Sequence, residues 1–95
     1  MTTQAEKANR FRELHAGPEI FVIPNPWDAG TARILAALGF PALTTTSAGL
    51  AFALGRKDGA VTRDEALANA KAIVDATDLP VAADLENGYG DAPEA

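Results

Sequence analysis

Asp84 and Glu86 are the residues of this 95-residue chain whose type and spacing most directly suggest chemistry. In extended backbone, positions two apart project to the same side. Two carboxylates placed so repel unless protons or a cation stand between them. With no cysteine and one histidine in the chain, ligation would be by oxygen alone, which favours Mg²⁺ or Mn²⁺. Gly88 and Gly90 follow, and glycine permits a tight turn with close backbone approach to a ligand. Acids and glycines after a strand also serve simply to solvate a turn, and spacing alone leaves both readings open.

Three further groups of residues are candidates. Thr46-Ser47-Ala48-Gly49 could offer hydroxyls and backbone N–H groups to an anion at the start of a helix. The same small residues also suit a plain N-cap, and the glycine and lysine spacing of a Walker loop is missing. Asp58, within Gly55-Arg56-Lys57-Asp58-Gly59, reads either as a turn residue or as an outer carboxylate near the same metal. Trp27 could line a pocket or pack the loop that holds it. His15 falls at the end of a first helix, away from these groups. A nucleophile–histidine–acid set is therefore not formed.

These residues need elements to position them, and the chain alternates between helical and strand-like patterns. Residues 3–15 place Ala8, Phe11, Leu14 and His15 near one helical face, stopped by Gly17-Pro18. Phe21-Val22-Ile23, ended by Pro24, reads as a short buried strand. A second helix is expected from Asp28, a good N-cap, with Ala32, Leu35, Ala36 and Leu38 on its inner face and Gly39 closing it. Residues 42–45 read as a second strand, and residues 48–54 as a short helix. Thr62-Arg63-Asp64-Glu65 forms a capping box, followed by Ala66, Leu67, Ala70, Ile73 and Val74 as an apolar face. Residues 79–83 make a third strand, with Asp84 at its carboxyl end.

The order αβαβ(α)αβ, with strands apolar on both faces, belongs to a parallel sheet covered by helices. In such folds ligands meet the loops leaving the carboxyl ends of the strands. Those loops are 24–28, 44–49 and 84–91, which hold most of the candidates above.

Composition narrows the classes. The chain carries 8 basic and 13 acidic residues, a formal charge of −5. That balance opposes the clustered Lys and Arg of a nucleic-acid footprint and adhesion to anionic membranes. No apolar run approaches the roughly 20 residues of a membrane span, and the polar N-terminus lacks a signal-peptide core. A soluble cytoplasmic protein is expected. Lack of cysteine excludes a disulfide framework and Cys-based zinc sites. Hydrophobic content of 47% and charged content of 22% are globular values.

Four ordered motifs resemble one family. Ile23-Pro24-Asn25-Pro26-Trp27-Asp28-Ala29-Gly30-Thr31-Ala32-Arg33 is similar to the opening segment of the isocitrate lyase and phosphoenolpyruvate mutase superfamily. Gly39-Phe40-Pro41-Ala42 with Thr45-Thr46-Ser47-Ala48-Gly49-Leu50-Ala51 resembles its second-strand loop. Leu54-Gly55 through Asp58 fits its next turn, and Asp84-Leu85-Glu86-Asn87-Gly88-Tyr89-Gly90 resembles its metal loop. The resemblance runs from about residue 10 to the end of the chain. In three places the chain departs from the common pattern. It has Ser47-Ala48-Gly49 where Ser-Gly is frequent, threonine where an aromatic residue often precedes that motif, and Glu86 where aspartate is usual.

The resemblance implies a (β/α)₈ TIM barrel, so residues 1–95 would be a single incomplete domain holding about the first three parallel βα units. It further implies Mg²⁺ (or Mn²⁺) and a small 2-oxo or 2-hydroxy carboxylate substrate, whose C–C or P–C bond beside the carbonyl is made or broken through an enolate. Asp84 would ligate the metal directly, with Glu86 and Asp58 acting chiefly through bound water. Ser47, Ala48, Gly49 and Leu50 would serve the substrate carboxylate. A homo-oligomer is expected at full length, and the 95-residue span alone is expected to be inactive. The alternative is a non-catalytic α/β binding or assembly module complete at this length. A nucleotide-binding Rossmann-like half is weaker, because no glycine fingerprint opens the first helix.

Overall fold

The computed structural model describes residues 2–90. Asp91, the last residue of the third loop, and the chain end at 93–95 lie outside the described residues. The elements are α1 (Gln4–Ala16), α2 (Ala29–Ala37), β1 (Leu43–Thr44), α3 (Ser47–Ala53), α4 (Arg63–Ala76) and β2 (Val81–Ala82).

Local chemistry explains why the helices begin where they do. Thr3 with Glu6, Asp28 with Thr31, and Thr62 with Glu65 each form a reciprocal capping box. Each box satisfies amides that a helix start leaves without intrahelical partners. Gly39, which follows α2, has φ +97°, a left-handed conformation suited to glycine.

β1 and β2 pair in parallel, Leu43 opposite Val81 and Thr44 opposite Ala82. A parallel pair needs a crossover, and here α3 and α4 supply it. Helices α2 and α4 pack together beside this pair. Ala32, Leu43 and Ile73 form the fully buried centre, with Leu35, Ala76, Leu79 and Val81 against it. Full burial of residues such as Leu43 and Ile73 contributes about 1.5–3 kcal/mol each.

The first expected strand is a correction. Residues 21–23 lie in an irregular segment, and Val22 is 63% exposed beside Ile20 at 98%. This segment reaches the sheet through one bond at its end, in which Thr44 N–H donates to the Pro24 carbonyl at 3.1 Å. Pro24 and Pro26 have no N–H to give to a ladder, so the chain turns away before pairing develops. Two inner-face assignments also change. Leu38 is exposed because α2 stops at Ala37, and Leu67 lies on the rim of α4, whose buried stripe is Ala66 and Ile73.

Candidate functional site

Asp84 lies just past β2, after Ala83, and its backbone is held by Thr45. Its N–H donates to the Thr45 hydroxyl at 2.8 Å, while Thr45 N–H donates to the Ala82 carbonyl at 2.9 Å. Thr45 is buried, so this pair of bonds ties the end of β1 to the end of β2. The Asp84 carboxylate then accepts two amides: Glu86 N–H on Oδ1 at 3.1 Å and Ser47 N–H on Oδ2 at 3.2 Å. These amides, the Glu86 one foremost, and the Ser47 side chain hold the Asp84 carboxyl below the usual carboxylate range against a smaller effect of burial. Hydrogen bonds to the charged form favour ionisation, so Asp84 is an anion at neutral pH. A carboxylate has about four acceptor directions, so these contacts leave Asp84 able to take a cation.

Glu86 comes near Asp84 by a different route from strand alternation. Its φ is +53°, and Gly88 N–H closes a turn onto the Leu85 carbonyl at 2.8 Å. The Asp84 side chain bonding to the amide two residues on is an Asx turn, a local geometry that starts the reversal. Gly88 at φ +84° and Tyr89 at φ +64° complete it. Extended backbone therefore ends at Asp84, and the same-side projection expected of Asp84 and Glu86 does not apply.

Asp58 sits in a turn between Gly55 (φ +73°) and Gly59 (φ +89°), closed by Ala60 N–H to the Lys57 carbonyl at 3.1 Å. Arg56 anchors that turn to α4 through a 2.6 Å bond to Glu65. Burial, then the negative charges of Glu86, Asp84 and Asp58 in that order, push the Tyr89 phenol up. One phenol thus feels all three acids. Among the described residues, no three His, Cys, Asp or Glu side chains stand close enough to hold a metal ion by themselves. Mg²⁺ commonly keeps several waters and takes one or two carboxylates plus substrate oxygens. The donor set fits an open, water-rich site centred on Asp84 and does not form a closed protein cage.

The second loop places its four candidates differently from one another. Thr46 caps α3, its hydroxyl accepting Gly49 N–H at 3.2 Å and its carbonyl accepting Leu50 N–H at 3.1 Å. Ser47 gives its amide to Asp84, and the Leu50 side chain is buried. Of the four, the Ala48 amide has no hydrogen-bond partner among the described residues. Gly49 has a packing role: a Cβ there would stand 2.2 Å from Trp27 Cδ1. The indole lies on that glycine and meets Phe52 edge to face at 6.2 Å. Trp27 thus packs the first loop onto α3, and Asn69 Nδ2 holds its carbonyl at 3.1 Å.

Sequence reasoning missed Thr45 as the residue that positions Asp84. A hydroxyl at a strand end is too common a feature to signal such a bond. His15 lies apart, as expected, between Phe11 and Phe21 at centroid distances of 4.5 and 5.2 Å.

The sequence pattern of the family described as phosphoenolpyruvate phosphomutase matches residues 11–95. The chain belongs to that family. It is 40% identical over 87 residues to the 2,3-dimethylmalate lyase of Eubacterium barkeri, covering 90% of this chain and 30% of the lyase. The 2-methylisocitrate lyase of Bacillus subtilis (strain 168) is 36% identical over 90 residues, covering 94% of this chain and 30% of that enzyme. In structure, the chain is similar to a candidate lyase/mutase from Burkholderia cenocepacia J2315 with a TM-score of 0.92 and 59% identity. That match covers 96% of this chain and 33% of the other. The chain therefore spans about a third of the length of these phosphomutase-family relatives.

Proposed function

We propose that residues 1–95 form the N-terminal part of a (β/α)₈ barrel enzyme that makes or breaks a C–C or P–C bond beside the carbonyl of a small 2-oxo or 2-hydroxy acid. The observation that carries this reading is the ionised Asp84 at the carboxyl end of β2, joined to the α3 loop through the Ser47 amide. Parallel α/β folds bind ligands at this end of their strands.

In the proposed arrangement Asp84 holds Mg²⁺ or Mn²⁺ directly, while Glu86 and Asp58 reach it through water. When bound, the ion supplies Lewis-acid stabilisation of the negative charge that grows on an enolate oxygen. Ser47 keeps the metal loop and the substrate loop in register, because its amide ends on Asp84. The Ala48 amide is the donor at the first turn of α3 for the substrate carboxylate. Thr45 prevents Asp84 from swinging by holding its backbone, so less reorganisation accompanies bond cleavage. The 95-residue span holds one side of this site and does not turn over substrate by itself.

Mn²⁺ titration followed by electron paramagnetic resonance tests the metal assignment. Asp84→Ala is expected to weaken binding by roughly tenfold or more, the scale of losses from disturbing metal-ligand shells. Unchanged affinity would remove Asp84 as the ligand. Grafted into a relative's full-length barrel, the wild-type segment should support turnover, and the Asp84→Ala segment should not.

A further inference from the structure

At the opposite end of β2, helix α1 meets the rest of the fold through a buried charge. Lys7 is only 7% exposed, although lysine is rarely buried without a partner. Its ammonium donates to two backbone carbonyls, Val74 at 2.9 Å and Thr77 at 2.8 Å. Both carbonyls belong to the C-terminal end of α4, which has no basic residue in its own last turn. A helix C-terminus carries partial negative charge and favours a cation there. Lys7 supplies that cation from a different element, 67 residues away from Val74 in the chain.

The clamp reaches toward the sheet. Thr77 also accepts Leu79 N–H on its hydroxyl at 3.2 Å, and the Pro80 carbonyl accepts Leu43 N–H at 2.9 Å. The turn that Lys7 grips therefore delivers β2 to its pairing with β1. Beside the ammonium lies a solvent-open cavity of about 520 Å³, bordered by Thr2, Gln4, Val74, Thr77 and Asp78. A small solute could reach the two carbonyls through it.

We propose that Lys7 is an electrostatic latch, a positioning residue whose ammonium fills a small-cation site at the end of α4 and thereby holds α1 against the α4–β2 turn. The charge and its two carbonyls keep α1 docked. The apolar stem alone does not.

Residue-resolved amide hydrogen exchange on the 95-residue chain tests the latch. Lys7→Ala and Lys7→Met should each speed exchange in α1 on the order of tenfold, the factor a lost hydrogen bond to a charged group implies, while α2 and β1 stay protected. Methylammonium chloride should restore protection in Lys7→Ala, and tetramethylammonium chloride at the same ionic strength should not, since it has no N–H to donate. The proposal is overturned if Lys7→Met protects α1 as well as the wild type does, because the stem would then suffice. It is also overturned if both salts restore protection equally, or if α2 and α4 lose protection together with α1.

Discussion

The two ends of β2 handle an isolated charge with the same material and opposite results. Before the strand, the Lys7 ammonium is buried against the Val74 and Thr77 carbonyls. After it, the Asp84 carboxylate accepts the Ser47 and Glu86 amides and stays open to solvent. Backbone dipoles complement the charge in both places, carbonyls for the cation and amides for the anion. The difference is in what each charge has left to give. The Lys7 side chain is buried and spent on two carbonyls, the character of a structural joint, while the exposed Asp84 carboxylate keeps acceptor directions for a further ligand. In this fold, charge marks a place of consequence, and exposure separates holding from binding.

Four substitutions would break or sharpen that contrast. Thr45→Val should have the largest effect, because it leaves the Asp84 amide without its buried acceptor. Such a loss costs about 1–3 kcal/mol, and urea denaturation should show it together with weaker Mn²⁺ binding. If stability falls while Mn²⁺ affinity holds, Thr45 supports the fold without positioning the site.

Gly49→Ala comes next. Its Cβ would intrude on the Trp27 indole; overpacking costs about 1–3 kcal/mol, partly offset by the roughly 1 kcal/mol helix preference for alanine over glycine. Indole fluorescence should shift to the red as Trp27 is pushed toward water. An unshifted spectrum would show that the indole does not rest on Gly49. Thr62→Ala removes the cap of α4 and should cost about 1 kcal/mol. It should leave Mn²⁺ binding unchanged, which makes it the control for the other two.

The smallest effect concerns acid. The hydrogen bond from Arg56, and then the Thr62 amide, hold the Glu65 carboxyl down from 4.5 to about 2. A carboxyl depressed in the folded state stabilises it above the unfolded value, and that contribution is lost as pH falls through the folded value. The window here runs from 4.5 down to about 2, and Asp84, also depressed, adds to the same acid limb. Glu65→Gln should flatten the thermal midpoint against pH across this window while lowering it slightly at neutral pH. Parallel curves for the two proteins would show that Glu65 does not contribute there.

Much of the fold is legible in the sequence. The Asp28 and Thr62 caps, the short helix after Thr46 and the strands ending near Thr45 and Asp84 all depend on neighbours within a few residues, and such signals survive in one dimension. The strand expected at 21–23 failed because an apolar triplet does not reveal that the flanking prolines withhold the donors a ladder needs. The two-apart spacing of Asp84 and Glu86 misled in a similar way, since the Asp84 side chain itself bends the chain before Glu86.

By itself, the sequence determined the element order, the helix starts, the acidic character of the strand-end loops and, through four ordered motifs, the family. Only the tertiary structure decided which of those residues act together. It assigned Gly49 to the Trp27 indole, tied Asp84 to Thr45 and Ser47, and buried Lys7 at the end of a helix 67 residues away. The reason is physical: capping and turn formation are local, whereas burial and charge compensation depend on what the fold brings alongside.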